Sequence, residues 1–134
     1  MVKTDREIVE QINQAFAELI VTLKDLARSV PPENLVRSAA VIEQMCGGLI
    51  ANLWDDPFEW TLPETLSNAD RVVEYLDEVD RARQRTFDSI DDAALSKYIA
   101  MPSGEEGQLI SLLLKTLVKA SEYRGRAMLL SSTT

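Results

Sequence analysis

The stretch from Thr4 to Pro31-Pro32 limits what this chain can become more than any other. Ile8, Ile12, Ala15, Phe16, Leu19, Leu23, Leu26 and Val30 recur at spacings of three and four. That period puts them on one face of a helix of roughly 25 residues. Thr4 and Glu7 open it as a capping-box pair, each side chain placed to satisfy the other residue's free backbone N–H. The prolines close it, because proline lacks an N–H and disfavours helical geometry in the residue before it. An apolar stripe of that length has to be covered by other helices.

The rest of the chain supplies them. A second helix is expected from about Asn34 to Leu53, with Leu35, Ala39, Ile42, Met45, Cys46, Leu49 and Leu53 on its apolar side. Gly47-Gly48 inside it costs up to ~2 kcal/mol of helix propensity relative to two alanines. The pair therefore points to close approach by another helix, to a local kink or to a ligand slot. WDDPFEWTLPET, Trp54 to Thr65, has two prolines, clustered acids and no sustained period, and reads as a long connection. Ser67 with Asp70 then opens a third helix, with Val72, Val73, Leu76, Val79, Phe87 and Ile90 facing inward. Its other face carries Glu74, Asp77, Glu78, Asp80, Arg81, Arg83 and Arg85, either solvated or able to receive an anion. Asp77–Arg81 is an attractive pair one turn apart, and Arg81–Arg85 a repulsive one. DDAALSKYIAMPSG forms another connection, with an extended piece at Tyr98 to Met101. Ser103 and Glu106 make a second capping-box match. Leu109, Ile110, Leu113, Leu117, Ala120, Tyr123, Arg124, Ala127, Met128 and Leu130 follow a helical period toward a frayed SSTT tail.

Four amphipathic helices bury their stripes against one another, so the expected fold is an all-α four-helix bundle in a single domain spanning residues 1–134. A hinge of a few residues at Val30 to Glu33 makes the first two helices antiparallel neighbours. The long connection after the second helix is enough for a crossover, which gives the order up-down-down-up; up-down-up-down is the alternative.

Composition narrows function by exclusion. The net charge of −8, with its positive charges dispersed, opposes non-specific binding to nucleic acid or anionic lipid, both polyanionic. The most apolar run, LISLLLKTLV, is too short to span a bilayer and contains Lys115. MVKTDREIVEQI has no apolar core segment of a signal peptide. Cys46 is the single cysteine, which rules out an intramolecular disulfide and a Cys-rich zinc module. It reads as a buried inert thiol rather than a nucleophile, since the sequence has no histidine to activate it. A cytoplasmic location is the expectation.

The order of several short features resembles the DinB/YfiT-like family of bacterial four-helix bundles. They are a long first helix, a Ser-led second helix (RSAAVIEQM), a tryptophan-bearing crossover (NLWDDPFEW), a third helix ending in FDSIDDAALS, and a closing KASEYRGRAMLL. Many relatives end in HxxxHRGQ, where two histidines join a third from the second helix to hold a divalent metal at the bundle mouth. In this sequence Tyr123 stands at the histidine before Arg-Gly, Lys119 one turn earlier, and Glu43 or Gln44 nearest the remaining ligand position. Lysine is an ammonium with no lone pair to give, and tyrosine would have to lose a proton held to a pKa of about 10. These positions read as a degenerate metal site without metal or other cofactor, in which Glu43 and Lys119 form an ion pair and Tyr123 adds a hydrogen bond. Gly125 suggests a neighbouring backbone lying close, and Arg124 is placed to clamp a carboxylate or carbonyls near the bundle end, or to act as structural support.

Three functions follow as expectations. The first is a metal-free bundle binding a small molecule in a pocket at the helix ends, lined around Met45 and Tyr123 with Trp54 and Trp60 near its mouth. The second, implied by the resemblance, is a homodimeric interaction protein pairing through the third helix and the exposed part of the first. The third is a thiol-dependent transferase with an atypical site. The grouped carboxylates, Asp55-Asp56 and Asp91-Asp92, sit in polar connections that leave them ordinary.

Overall fold

A computed structural model describes residues 4–55, 68–101, 104 and 106–132. The elements are α1 (Asp5–Leu26), α2 (Glu33–Ala51), α3 (Ala69–Asp88), α4 (Asp92–Leu95), β1 (Tyr98–Ala100), β2 (Glu106–Gln108) and α5 (Leu109–Ser132). The fold is all-α, with one small antiparallel hairpin in which Ile99 sits opposite Gly107.

The caps show why the helices begin where they do. Thr4 accepts a hydrogen bond from the Glu7 backbone N–H at 3.2 Å, one half of the expected capping box. α3 is capped by Asn68, whose side chain accepts from the Arg71 N–H at 2.9 Å. Ser67, the expected opener, lies outside the described residues, as does Ser103 of the second capping-box match. Its partner Glu106 belongs to a strand, pairing with Ala100, and the last helix starts only at Leu109. The DDAAL stretch, expected as connection, makes the single turn α4, because Asp91 caps the Ala94 N–H at 2.9 Å.

Phe16, Leu19, Ile20 and Leu23 of α1 are fully buried with Leu35, Ile42 and Met45 of α2, Val72 and Leu76 of α3, and Leu109 and Leu113 of α5. Each large apolar side chain so buried contributes roughly 1.5–3 kcal/mol. Phe16 and Phe87 meet as tilted rings with centroids 6.0 Å apart.

The neighbour relations correct one expectation. α1 and α2 hardly touch; each packs instead on both α3 and α5. The hinge explains this. Ala27 and Val30 are buried within it, and residues 27–32 reach as far as ~20 Å when extended. That exceeds the diagonal of about 11–14 Å in a bundle with axes 8–10 Å apart.

α1 and α3 run antiparallel, joined along their length. Arg6 donates to the Ile90 carbonyl and to Asp92, both at 2.9 Å. Arg83 donates to Asn13, Lys24 pairs with Asp77, and Arg28 with Asp70. Asp77 thus takes Lys24 rather than the expected Arg81. Arg83, expected on the solvated face, is buried and held by Asp80 at 2.9 Å and by Asn13. Exposed pairs of this kind contribute little, whereas a buried guanidinium that loses a partner costs more. Asn13→Ala should therefore lower stability by about 1–3 kcal/mol in urea denaturation. The same substitution at exposed Asn52 or Glu10 is no test of this contact, so Arg6→Ala serves as the reference and should cost less.

Candidate functional site

The site is built by the way α2 ends. Asn52 adopts a left-handed conformation, φ 55°, one that asparagine tolerates better than most residues. The chain then folds back along α2. The Leu53 N–H reaches the Gly47 carbonyl at 3.1 Å. Gln44 donates its side-chain amide to the Trp54 carbonyl at 2.7 Å, and the Trp54 indole N–H donates to the Asn52 side chain at 2.9 Å.

This return explains Gly47-Gly48. A Cβ on Gly48 would meet the Trp54 ring at 2.3 Å, and one on Gly47 would meet the Leu53 carbonyl oxygen at 2.9 Å. The close approach is made by the chain's own next turn and not by another helix. Gly125 differs: a Cβ there would meet nothing within 4 Å among the described residues, so the expected neighbouring backbone is not found among them.

Two hollows flank Trp54. A cleft of about 400 Å³ at the helix ends is lined by Gly48, Leu49, Ile50 and Asn52, by Ser89, Ile90 and Ala94, and by Lys97, Tyr98, Ile99, Ala100 and Leu109. A groove of about 220 Å³ between α2 and α5 is lined by Val41, Gln44, Met45, Met101, Leu112, Lys115, Thr116 and Lys119. Trp54 lines both. Among the described residues, neither lining includes a carboxylate. Lys97, Lys115 and Lys119 make no ion pair among the described residues.

The expected site residues divide between faces. Gln44, Met45, Trp54 and Lys119 share the groove. Glu43 points elsewhere, toward α3, where the Tyr75 hydroxyl donates to it at 2.7 Å. The expected Glu43–Lys119 ion pair is therefore not formed. Tyr123 stacks under the Arg126 guanidinium, 5.1 Å from the ring centroid, rather than joining the groove. The Arg124 Nε is buried with no hydrogen-bond partner, so it clamps no carbonyl or carboxylate among the described residues. Trp60 lies outside the described residues.

The polar groups of the groove are an amide, a hydroxyl and two ammonium groups, beside the thioethers of Met45 and Met101. The ammonium groups have no lone pair, the thioethers suit only soft cations, and the hydroxyl of Thr116 already donates to the Leu112 carbonyl at 2.9 Å. Among the described residues, no three His, Cys, Asp or Glu side chains gather as a metal site would require. On the α3 side, burial pushes the Glu43 carboxyl above its ordinary range, the Tyr75 hydrogen bond opposes the rise, and Glu78 adds to it. Cys46, nearby, has its thiol pushed up mainly by burial, against a hydrogen bond with Thr86. A thiol so placed stays protonated and unreactive at neutral pH.

Sequence reasoning missed Lys115, Tyr98 and Tyr75. Lys115 and Lys119 stand one turn apart on a helix that is otherwise mostly apolar, and that repulsive spacing was a usable signal. Tyr98 and Ile99 lie on the expected extended piece, and they reach the cleft because that piece pairs with Glu106–Gln108, a pairing no local pattern announces. Comparison with family models, with curated proteins and with solved structures finds no match.

Two outcomes follow from this geometry. Gly48→Ala should unseat the indole, lowering stability by about 1–3 kcal/mol. In a Trp60→Phe background it should shift the remaining Trp54 emission to the red. Glu43 holds its proton more tightly folded than unfolded, so its contribution to stability is present at low pH. That contribution is lost as pH rises from about 4.5, its unfolded value, through the raised folded pKa. The stability difference between Glu43→Gln and the wild type should grow in the variant's favour over that window, read by urea denaturation at several pH values.

Proposed function

We propose that the protein is a DinB-like helical bundle that works without a metal and binds a small molecule at the helix ends, in the cleft beside Trp54. One observation carries the reading: a hollow of about 400 Å³ that falls in the size range of small-molecule sites. Its walls join apolar side chains to the polar groups of Asn52, Ser89 and Lys97, with the indole of Trp54 and the phenol of Tyr98 as aromatic surfaces. The resemblance of NLWDDPFEW to the tryptophan-bearing crossover of the DinB/YfiT-like family supports the same part of the bundle as the working end, since Trp54 of that stretch lines the cleft. The metal-free element rests on donor chemistry, since histidine is absent from the sequence and the groove offers ammonium groups in its place.

The uncharged fluorophore N-phenyl-1-naphthylamine tests the cleft. It should brighten on mixing with the protein and saturate at one per chain. Ile50→Glu, at a lining position already 54% exposed, should abolish the signal while leaving the thermal transition nearly unchanged. Absence of saturable binding, or binding indifferent to that charge, would remove the proposal. Metal analysis of protein purified without an affinity tag should find no stoichiometric zinc or nickel, and finding either would overturn the metal-free element.

A homodimer is the second reading, favoured by an exposed apolar face. Val21 of α1 and Leu114 and Val118 of α5 are 56%, 45% and 59% exposed, on two helices that pack together. This moves the pairing surface from α3, whose outward side is charged, to α1 and α5. Light scattering should give a dimer mass that Leu114→Glu with Val118→Glu halves. A monomer mass at all concentrations would count against it.

A further inference from the structure

We infer that the ligand is an amphiphile with an anionic head, its apolar part in the helix-end cleft and its head over Lys115 and Lys119 in the α2–α5 groove. This rests on the cleft being a ligand site and names the chemistry of what that site takes.

The two hollows share one wall, Trp54, and follow one another along α5. Leu109 lines the cleft, while Leu112, Lys115, Thr116 and Lys119 line the groove. At 1.5 Å per residue, Lys115 lies about 9 Å and Lys119 about 15 Å beyond Leu109 along the helix axis. A medium-length hydrocarbon chain spans that distance. The apolar edge between the two compartments is Trp54.

The lysines are what gives the head its sign and its place: the cleft has one ammonium group, Lys97, whereas the groove has two. In a chain of net charge −8, these two ammonium groups stand one turn apart, where like charges repel. Neither makes an ion pair among the described residues. Glu106 shares a small hollow with Lys115 without pairing to it, and no carboxylate among the described residues lines the groove itself. An anion placed between the two would relieve their repulsion at little desolvation cost, since both side chains are exposed. Gln44 is occupied in holding the Trp54 carbonyl and acts as a positioning residue.

Competition with bound N-phenyl-1-naphthylamine tests this, using decanoate, decanol and decyltrimethylammonium below their micelle-forming concentrations. Decanoate should displace the fluorophore at about tenfold lower concentration than decanol, and the cationic chain should be weakest. Lys115→Gln with Lys119→Gln should erase the preference for decanoate while leaving fluorophore affinity and the thermal transition unchanged. Lys115→Arg with Lys119→Arg should keep the preference. Equal displacement by acid and alcohol, or a preference that survives in the glutamine variant, would overturn the anionic head while leaving the cleft standing. Failure of the fluorophore itself to bind would remove the cleft and this inference together.

Discussion

The burial of Ala27 and Val30 in the hinge after α1 is the constraint from which the other neighbour relations follow. With those side chains turned inward, the chain crosses the bundle diagonal instead of doubling back alongside α1. α2 then has α3 on one side and α5 on the other. Successive residues on a helix point about 100° apart, so adjacent positions on α2 face different seams. Glu43 meets Tyr75 of α3, while Gln44 lies in the groove with Lys119 of α5. A one-residue uncertainty in register, harmless to the fold, decided which of the two reached the groove.

That geometry shows how far the sequence could be read. The stripe on α1 is a local signal and the structure has the helix, but it ends at Leu26 rather than at the prolines, and Val30 belongs to the hinge. The capping residues Thr4 and Asp91 act through three-residue spacings that are likewise local. Arg83 was different: its neighbours in sequence are charged, and only the arrival of Asn13 from α1 makes it a buried residue. Gly47-Gly48 announced a close approach correctly but not by what, because the approaching group is Trp54, which returns through the left-handed turn at Asn52. Gly125 looked alike in sequence and has no such contact among the described residues. A glycine in a helix signals cost; which contact repays that cost is a tertiary fact.

The candidate site was partly legible for the same reason. Met45, Gln44, Trp54 and Lys119 fall on two helices and their connection, and a bundle brings such positions together whatever the exact crossing. The hairpin residues Tyr98 and Ile99 were not legible as walls, since their place depends on β1 pairing with β2 just before α5 begins. Tyr123 and Arg124 follow the same helical period as Ala120 and Ala127 but lie past the groove, toward the opposite end of α5. The ending YRGR is therefore part of the bundle's other end.

Trp54 shows why a single side chain can organise such a region without being buried itself. Its carbonyl is held by Gln44, its indole N–H by Asn52 and its ring by the bare backbone of Gly48. Three separate constraints fix one ring, so little conformational freedom is left to lose when a ligand binds against it. A wall that is already ordered favours binding on both of its faces. The cleft on one side carries one ammonium group, Lys97, and the groove on the other carries two, Lys115 and Lys119, and a ring fixed in this way keeps the two compartments distinct.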